Sequence, residues 1–174
     1  MKNILLIASL AVGLQAQNAP SANPMSDELK GLFNQIKNNL IKAAEKMPEE
    51  SYAFKPSHDV RSFGQLVGHV ADAGYLFCSP GKAEADVKKS PGAEKNLTKK
   101  AELVAALKDS MAYCDSSYAA LTDATAAAKK PFFGRERTMI NILSFNVAHD
   151  NEHYGNIVTY MRIRGLVPPS SEGR

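Results

Sequence analysis

The sequence predicts an all-α fold, a four-helix bundle with a long crossover between the second and third helices. Three observations support this prediction. Four segments carry apolar residues at helical spacing, no segment alternates apolar and polar residues long enough to indicate a strand, and a stretch rich in Pro, Gly and charge separates the second helical segment from the third. Helices without strands or repeats must bury their apolar faces against one another, as in a bundle.

The first residues have the features of a secretory signal peptide. Lys2 supplies a basic start, residues 4–14 are largely apolar, and Ala16 is a small residue suited to cleavage. The alternative, a first core helix, fits less well because the apolar stretch is short and has no amphipathic period. We therefore predict that residues 1–16 are a signal peptide and that the protein is exported, to the periplasm or the extracellular space.

The rest of the chain is predicted to be a linker, residues 17–25, followed by one folded domain, residues 26–170. A content of 44% hydrophobic and 22% charged residues is typical of a globular domain. No run reaches the roughly 20 apolar residues of a membrane span, so no membrane span is predicted. The formal net charge of +3 is small and the basic residues are dispersed, so no nucleic-acid partner is predicted.

The first predicted helix begins at a capping Ser26 and stops at Pro48. Its apolar residues recur at helical spacing: Leu29, Leu32, Phe33, Ile36, Leu40 and Ile41. The second helix starts at Ser62, after an irregular connection that Pro56 interrupts. Residues 79–97, with two Pro-Gly pairs, are predicted to form the long crossover, with room for a short helical turn.

The third helix opens at Thr98, and its apolar residues repeat at steps of four and three, as bundle packing requires. The segment before Thr138 is predicted to be a plain linker. The fourth helix runs from about Thr138 to Arg164 and is followed by Gly165 and two prolines, a typical stop. It has apolar residues on two faces, so we expect a second packing surface, for which a homodimer partner is one candidate.

The two cysteines, Cys78 and Cys114, allow two interpretations. Export would permit a disulfide between them. The alternative is two buried free thiols that pack as small hydrophobic groups. The sequence leaves both open.

Two of the four histidines, His149 and His153, lie four residues apart on the fourth helix. Imidazoles at this spacing lie one above the other and can bind one metal ion. The intervening residues are Asp150, Asn151 and Glu152, so the catalytic Glu that follows the first ligand in zincins is absent. His69, on the second helix, is the best candidate for a third ligand, and three imidazoles would leave a coordination position open for water or substrate. The alternative is three ordinary histidines in a structural bundle.

Two acids near these histidines are candidate catalytic residues. Asp72 lies one turn beyond His69 and is a candidate for orienting a ligand or a bound water. Glu152 is a candidate general base. Either residue is equally well explained as a solvated acid, and His58 is expected to be a solvated loop residue.

Two segments, "RSFGQLVGHVADAGYLF" and "LSFNVAHDNEHYGNIVTYMRIRGLVPP", together resemble the DinB/YfiT-like superfamily. The resemblance covers about residues 25–170. It implies a four-helix bundle, often dimeric, in which three histidines hold a divalent metal such as zinc, nickel or iron. Carried over by position, the ligands are His69, His149 and His153. If the family's crossover makes helices two and three parallel, Cys78 and Cys114 can meet; an antiparallel pair would keep them apart.

Members of this superfamily include metal-dependent hydrolases and thiol-dependent transferases or isomerases. Export argues against thiol dependence, since reduced low-molecular-weight thiols are scarce outside the cytosol. Our hypothesis is therefore a metal-dependent hydrolase that acts on a small molecule through metal-bound water. The alternatives are a thiol-dependent S-transferase or isomerase and a non-catalytic module that binds a metal or a small ligand.

Overall fold

A computed structural model describes residues 21–173 of the chain. The predicted signal peptide and the first part of the predicted linker lie outside the described residues. The helices are α1 (Pro24–Lys46), α2 (Phe63–Cys78), α3 (Ala93–Asn96), α4 (Lys100–Ala120) and α5 (Met139–Ile163), and the strands are β1 (Lys129–Phe132) and β2 (Arg135–Thr138). Short 3-10 turns lie at Glu49–Ser51, Glu84–Asp86 and Pro169–Ser171.

The four long helices form a bundle in which α1 and α2 each pack against both α4 and α5. Helices α2 and α4 run parallel, because the start of α2 at Gly64 lies against Leu103 and its end at Cys78 lies against Ser117. Helices α2 and α5 run antiparallel, since the Tyr160 hydroxyl near the end of α5 donates to the Arg61 carbonyl just before α2. The predicted four-helix bundle with a long crossover is confirmed.

The core of the bundle is tied together by Tyr118 on α4. Its ring stacks on Phe33 of α1, with 3.9 Å between the ring centroids. Its hydroxyl donates a hydrogen bond of 2.9 Å to the carbonyl of Leu143 on α5. Tyr118 is fully buried and burial raises the pKa of its hydroxyl well above the usual value, so the group remains a neutral donor.

A β-hairpin occupies residues 129–138, where the sequence predicted a plain linker, so the expectation of no strands was wrong here. The two strands pair antiparallel, with Phe132 opposite Arg135. Phe133 and Gly134 form the turn between them, both with positive φ, 48° and 70°. Such a two-residue turn matches the twist of a hairpin. The strands were missed because each has four residues and neither alternates apolar and polar side chains.

The predicted crossover is present and includes the short helix α3, which rests against α2. Asp72 of α2 accepts hydrogen bonds from the backbone amides of Ala93 and Glu94, at 2.7 and 2.9 Å. Gly68 faces the same point, and a Cβ atom there would lie 2.6 Å from the Glu94 nitrogen. Only a residue without a side chain lets α3 approach α2 this closely.

Cys78 and Cys114 form a disulfide that joins the end of α2 to the C-terminal half of α4, with 5.2 Å between the Cα atoms. This outcome decides between the two interpretations of the cysteines and follows from the parallel direction of the two helices. Within residues 21–173, no helix is long and apolar enough to cross a membrane.

Removing the disulfide by a Cys78→Ala/Cys114→Ala double substitution is expected to lower the free energy of unfolding by about 3 kcal/mol. The disulfide closes a long loop in the unfolded chain, and without it the unfolded chain gains conformational entropy. Urea denaturation of parent and variant, each with and without a reductant, checks this. The reductant should lower the midpoint of the parent alone. A parent whose midpoint does not respond to reduction would contradict the disulfide.

Candidate metal centre

Three histidines converge in the groove between the antiparallel helices α2 and α5. His69 projects from α2, and His149 and His153 project from consecutive turns of α5. The Nε2 atom of His149 lies 3.2 Å from Nε2 of His69 and 3.1 Å from Nε2 of His153. One ligand atom from each of the three residues lies within 4.8 Å of the others. The structure therefore brings together the three predicted ligands, and such a set of nitrogens fits a single divalent ion.

The protonation of His153 suits metal binding. Burial lowers the pKa of its imidazole to about 4, and the positive charges that His149 and His69 can carry act in the same direction. At neutral pH the ring is therefore uncharged, with one nitrogen lone pair free. A metal ligand needs this neutral form.

The imidazole of His69 is held from the side opposite the cluster. Its Nδ1 lies 2.8 Å from Oε2 of Glu94, at the start of α3. Because a carboxylate only accepts hydrogen bonds, this contact keeps the proton on Nδ1 and leaves the Nε2 lone pair facing the other two histidines. Arg61 donates from Nε to the second oxygen of Glu94 at 2.8 Å.

The charge of Glu94 is fixed by these two neighbours. Partial burial alone would raise its pKa, but the hydrogen bonds from Arg61 and His69 outweigh that effect and lower the pKa below the usual value. Glu94 is therefore ionised at neutral pH. An ionised partner raises the basicity of His69 as a ligand.

A different, buried network lies behind His149. The Asp150 carboxylate has an oxygen 3.7 Å from His149 Nδ1, close enough for an ion pair but too far for a hydrogen bond. Asn146 donates to Asp150 at 3.3 Å and to the Tyr118 hydroxyl at 3.0 Å. Burial raises the pKa of Asp150, so this side of the centre favours neutral groups.

The two acids singled out in the sequence occupy other places. Asp72 directs its carboxylate to the backbone of α3 rather than to His69, so it supports the centre through Glu94. Glu152 is exposed on α5, and its role as a general base stays a prediction. His58 is exposed in its loop beside Asp59, as expected.

Sequence reasoning missed Glu94 and Arg61. The signal for Glu94 is weak, an acid just after a Pro-Gly pair in the crossover, and its partner His69 lies 25 positions earlier. Only the path of the crossover brings the two together. The acid beside His149 was noticed, but its burial was not foreseen.

A helical bundle that presents three imidazole nitrogens from two antiparallel helices has the ligand arrangement of a candidate metal site. The sequence model of the DinB superfamily matches residues 32–157. The chain belongs to the DinB superfamily, and no curated protein sequence matches it.

Three solved structures of similar fold are proteins from two Bacillus species. A DinB-like protein from Bacillus cereus is 16% identical, with a TM-score of 0.69 over 82% of this chain and 95% of its own. The DinB-like protein YjoA from Bacillus subtilis is 19% identical, with a TM-score of 0.61 over 79% and 92%. YfiT from Bacillus subtilis, described as a probable metal-dependent hydrolase with an unusual four-helix bundle topology, is 17% identical, with a TM-score of 0.61 over 89% and 96%. At these identities the comparisons establish the shared fold.

The substitution Glu94→Gln is expected to weaken zinc binding about 10- to 100-fold, because the amide no longer supplies a charged partner to His69. Competition with a chromogenic chelator measures the affinity. Glu102→Gln, which alters an exposed acid of α4 paired with Lys99, is the matched control and should bind zinc like the parent. Equal affinities for the Glu94 variant and this control would show that Glu94 does not support the ligand.

Proposed function

We propose that this protein is an exported metal-dependent hydrolase that acts on a small molecule, with one divalent ion, zinc, nickel or iron, held by His69, His149 and His153. The observation that carries the proposal is the convergence of three imidazole nitrogens, 3.1 and 3.2 Å apart in successive pairs. Three protein ligands leave at least one coordination position for water or substrate.

The surroundings of the three nitrogens support a working site rather than a sealed structural one. The side chains of His69 and His149 are 25% and 15% exposed, so a small molecule can reach the centre from the α2–α5 groove. When bound, a divalent ion supplies a Lewis acid that polarises a substrate oxygen and activates water. This chain's own contribution is to hold the three imidazoles in place and to fix the tautomer of His69 through Glu94.

Export and hydrolysis support each other in the proposal. The signal-like start and the Cys78–Cys114 disulfide both fit an oxidising compartment. Hydrolysis needs only water, whereas thiol transfer needs a reduced cosubstrate that is scarce there. The description of YfiT as a probable metal-dependent hydrolase adds support by analogy of fold.

A non-catalytic module that binds a metal or a small ligand is the second candidate. It is favoured by one observation: the carboxylate of Glu94, which contacts His69 directly, is already engaged by both His69 and Arg61. A carboxylate held in this way is poorly placed to accept a proton from water. Turnover in a screen of small esters, amides and phosphoesters would exclude this second candidate.

Elemental analysis of the mature chain, residues 17–174 purified without a His tag, is expected to find about one divalent ion per chain. The double variant His149→Ala/His153→Ala should contain none, because a single imidazole holds metal weakly. His58→Ala, which removes an exposed histidine, is the matched control and should retain the ion.

The same samples test activity. The parent should hydrolyse at least one substrate class in the screen, and a chelator should abolish that activity while re-addition of metal restores it. A parent that contains no metal, even after incubation with zinc and nickel, would refute the proposed function.

A further inference from the structure

A row of aromatic side chains, some exposed and some buried, leads from the candidate metal centre toward the β-hairpin. We call it the phenylalanine shelf and define it by its exposed side chains, Leu76, Phe133 and Phe145, and by the two buried rings beneath them, Phe77 and Phe132. The exposed members are 49%, 68% and 51% accessible to solvent. Large apolar side chains grouped in this way on a folded surface indicate a binding site.

The shelf is in direct contact with a predicted metal ligand. The ring of Phe77 lies 5.1 Å from the His149 ring, measured between centroids, and 5.5 Å from the Phe145 ring. On its other side Phe77 lies 5.7 Å from Phe132, whose ring lies 4.4 Å from Phe133. The aromatic rings thus form an unbroken row from the metal centre to the tip of the hairpin.

Helix periodicity places the shelf along the groove that holds the histidines. Leu76 follows His69 by seven residues on α2, and Phe145 precedes His149 by four on α5, so on each helix the apolar residue shares a face with a ligand. Because the two helices are antiparallel, both apolar residues lie toward the same end of the groove. The seven-residue step from His69 to Leu76 spans about 10 Å along α2, so the apolar end of the groove extends about that far from the histidines.

The conformation of Phe133 is a second, independent indication. It has a φ of 48° at the first position of the hairpin turn, where Asn, Asp or Gly is favoured and a bulky residue is strained. Its side chain is the most exposed of the shelf, so its burial contributes little to the stability of the fold and does not offset the strain. A strained and exposed ring at the far end of the row of rings that begins at His149 points to a contact with another molecule.

We propose that the phenylalanine shelf binds the apolar part of the substrate, an acyl chain or an aromatic ring, while the polar group that reacts faces the three histidines. The inference rests on the proposed function, whose substrate class it names. A molecule whose polar group reaches His149 has its adjoining atoms beside Phe77 and Phe145, and burial of apolar groups there stabilises the complex. The substrate class is therefore an amphipathic small molecule with a hydrolysable polar head.

The test uses hydroxamates, which ligate zinc through two oxygens and carry chains of different length. Binding of acetohydroxamate and octanohydroxamate to the zinc-loaded mature protein is measured by titration calorimetry. We expect octanohydroxamate to bind about tenfold more tightly, because several methylene groups become partly buried on the shelf.

Two variants locate the effect. Phe145→Ala should reduce the advantage of the long chain, and so should Phe133→Asn, which relieves the turn and removes the ring. Both should weaken octanohydroxamate binding more than acetohydroxamate binding, because the single methyl group of acetohydroxamate buries little apolar surface. Leu32→Ala, which truncates a side chain on α1 that is 54% exposed, is the matched control and should keep the full advantage.

The outcomes separate the two proposals. Zinc and acetohydroxamate binding without any preference for the long chain would overturn the shelf proposal and leave the metal centre intact. A protein that holds no zinc would overturn the proposed function and the shelf proposal with it. Sedimentation of Phe145→Ala provides a further check. If this variant is a monomer where the parent is a dimer, and if it still binds octanohydroxamate more tightly than acetohydroxamate to the same degree as the parent, the shelf is an interface between copies and the proposal is wrong.

Discussion

The parallel packing of α2 and α4 is the constraint on which much of this molecule depends. Two neighbouring helices of the same direction need a connection that returns along the bundle, and α2, with 16 residues, is about 24 Å long. The chain between them therefore passes across α2 on its way back. There α3 packs against Gly68, and the carboxylate of Glu94 accepts a hydrogen bond from His69. The same parallel direction brings Cys78 and Cys114 together.

The candidate metal centre is supported in two physically different ways. On the side that solvent can reach, His69 has an ionised partner, Glu94, itself held by Arg61. On the buried side the carboxyl group of Asp150 has a raised pKa, and its neighbours are the neutral Asn146 and Tyr118. Burying a charge is costly unless it is paired, which accounts for a carboxylate held by Arg61 at the rim and for the uncharged Asn146 and Tyr118 inside. His69, whose tautomer Glu94 fixes, and the neutral His153 both present nitrogen lone pairs to a cation.

The sequence was sufficient for features that depend on local periodicity. The four long helices and the spacing of His149 and His153 could be predicted because a helix places residues four apart on one face. His69 was selected as the best candidate for a third ligand, since it is a histidine on another predicted helix, and the family resemblance supported that choice. No local pattern relates it to residues 80 positions later. Glu94 could not be predicted, because its role depends on where the crossover passes, and the hairpin was missed because four-residue strands carry too few side chains to show a period. The disulfide depended on helix direction, which single-residue patterns do not reveal.

The contact at Gly68 has a consequence for how sequences of this architecture can vary. Asp72 and Gly68 determine where α3 meets α2, whatever path the chain takes from the end of α2 to that point. The crossover thus consists of an approach, residues 79–89, whose length costs little in loop entropy, and a fixed segment that begins at Ser90, which donates to Asp72, and includes α3. Insertions and deletions in the approach therefore leave the positions of the histidines unchanged. In contrast, a single methyl group at position 68 would displace Glu94, the hydrogen-bond partner of the candidate ligand His69.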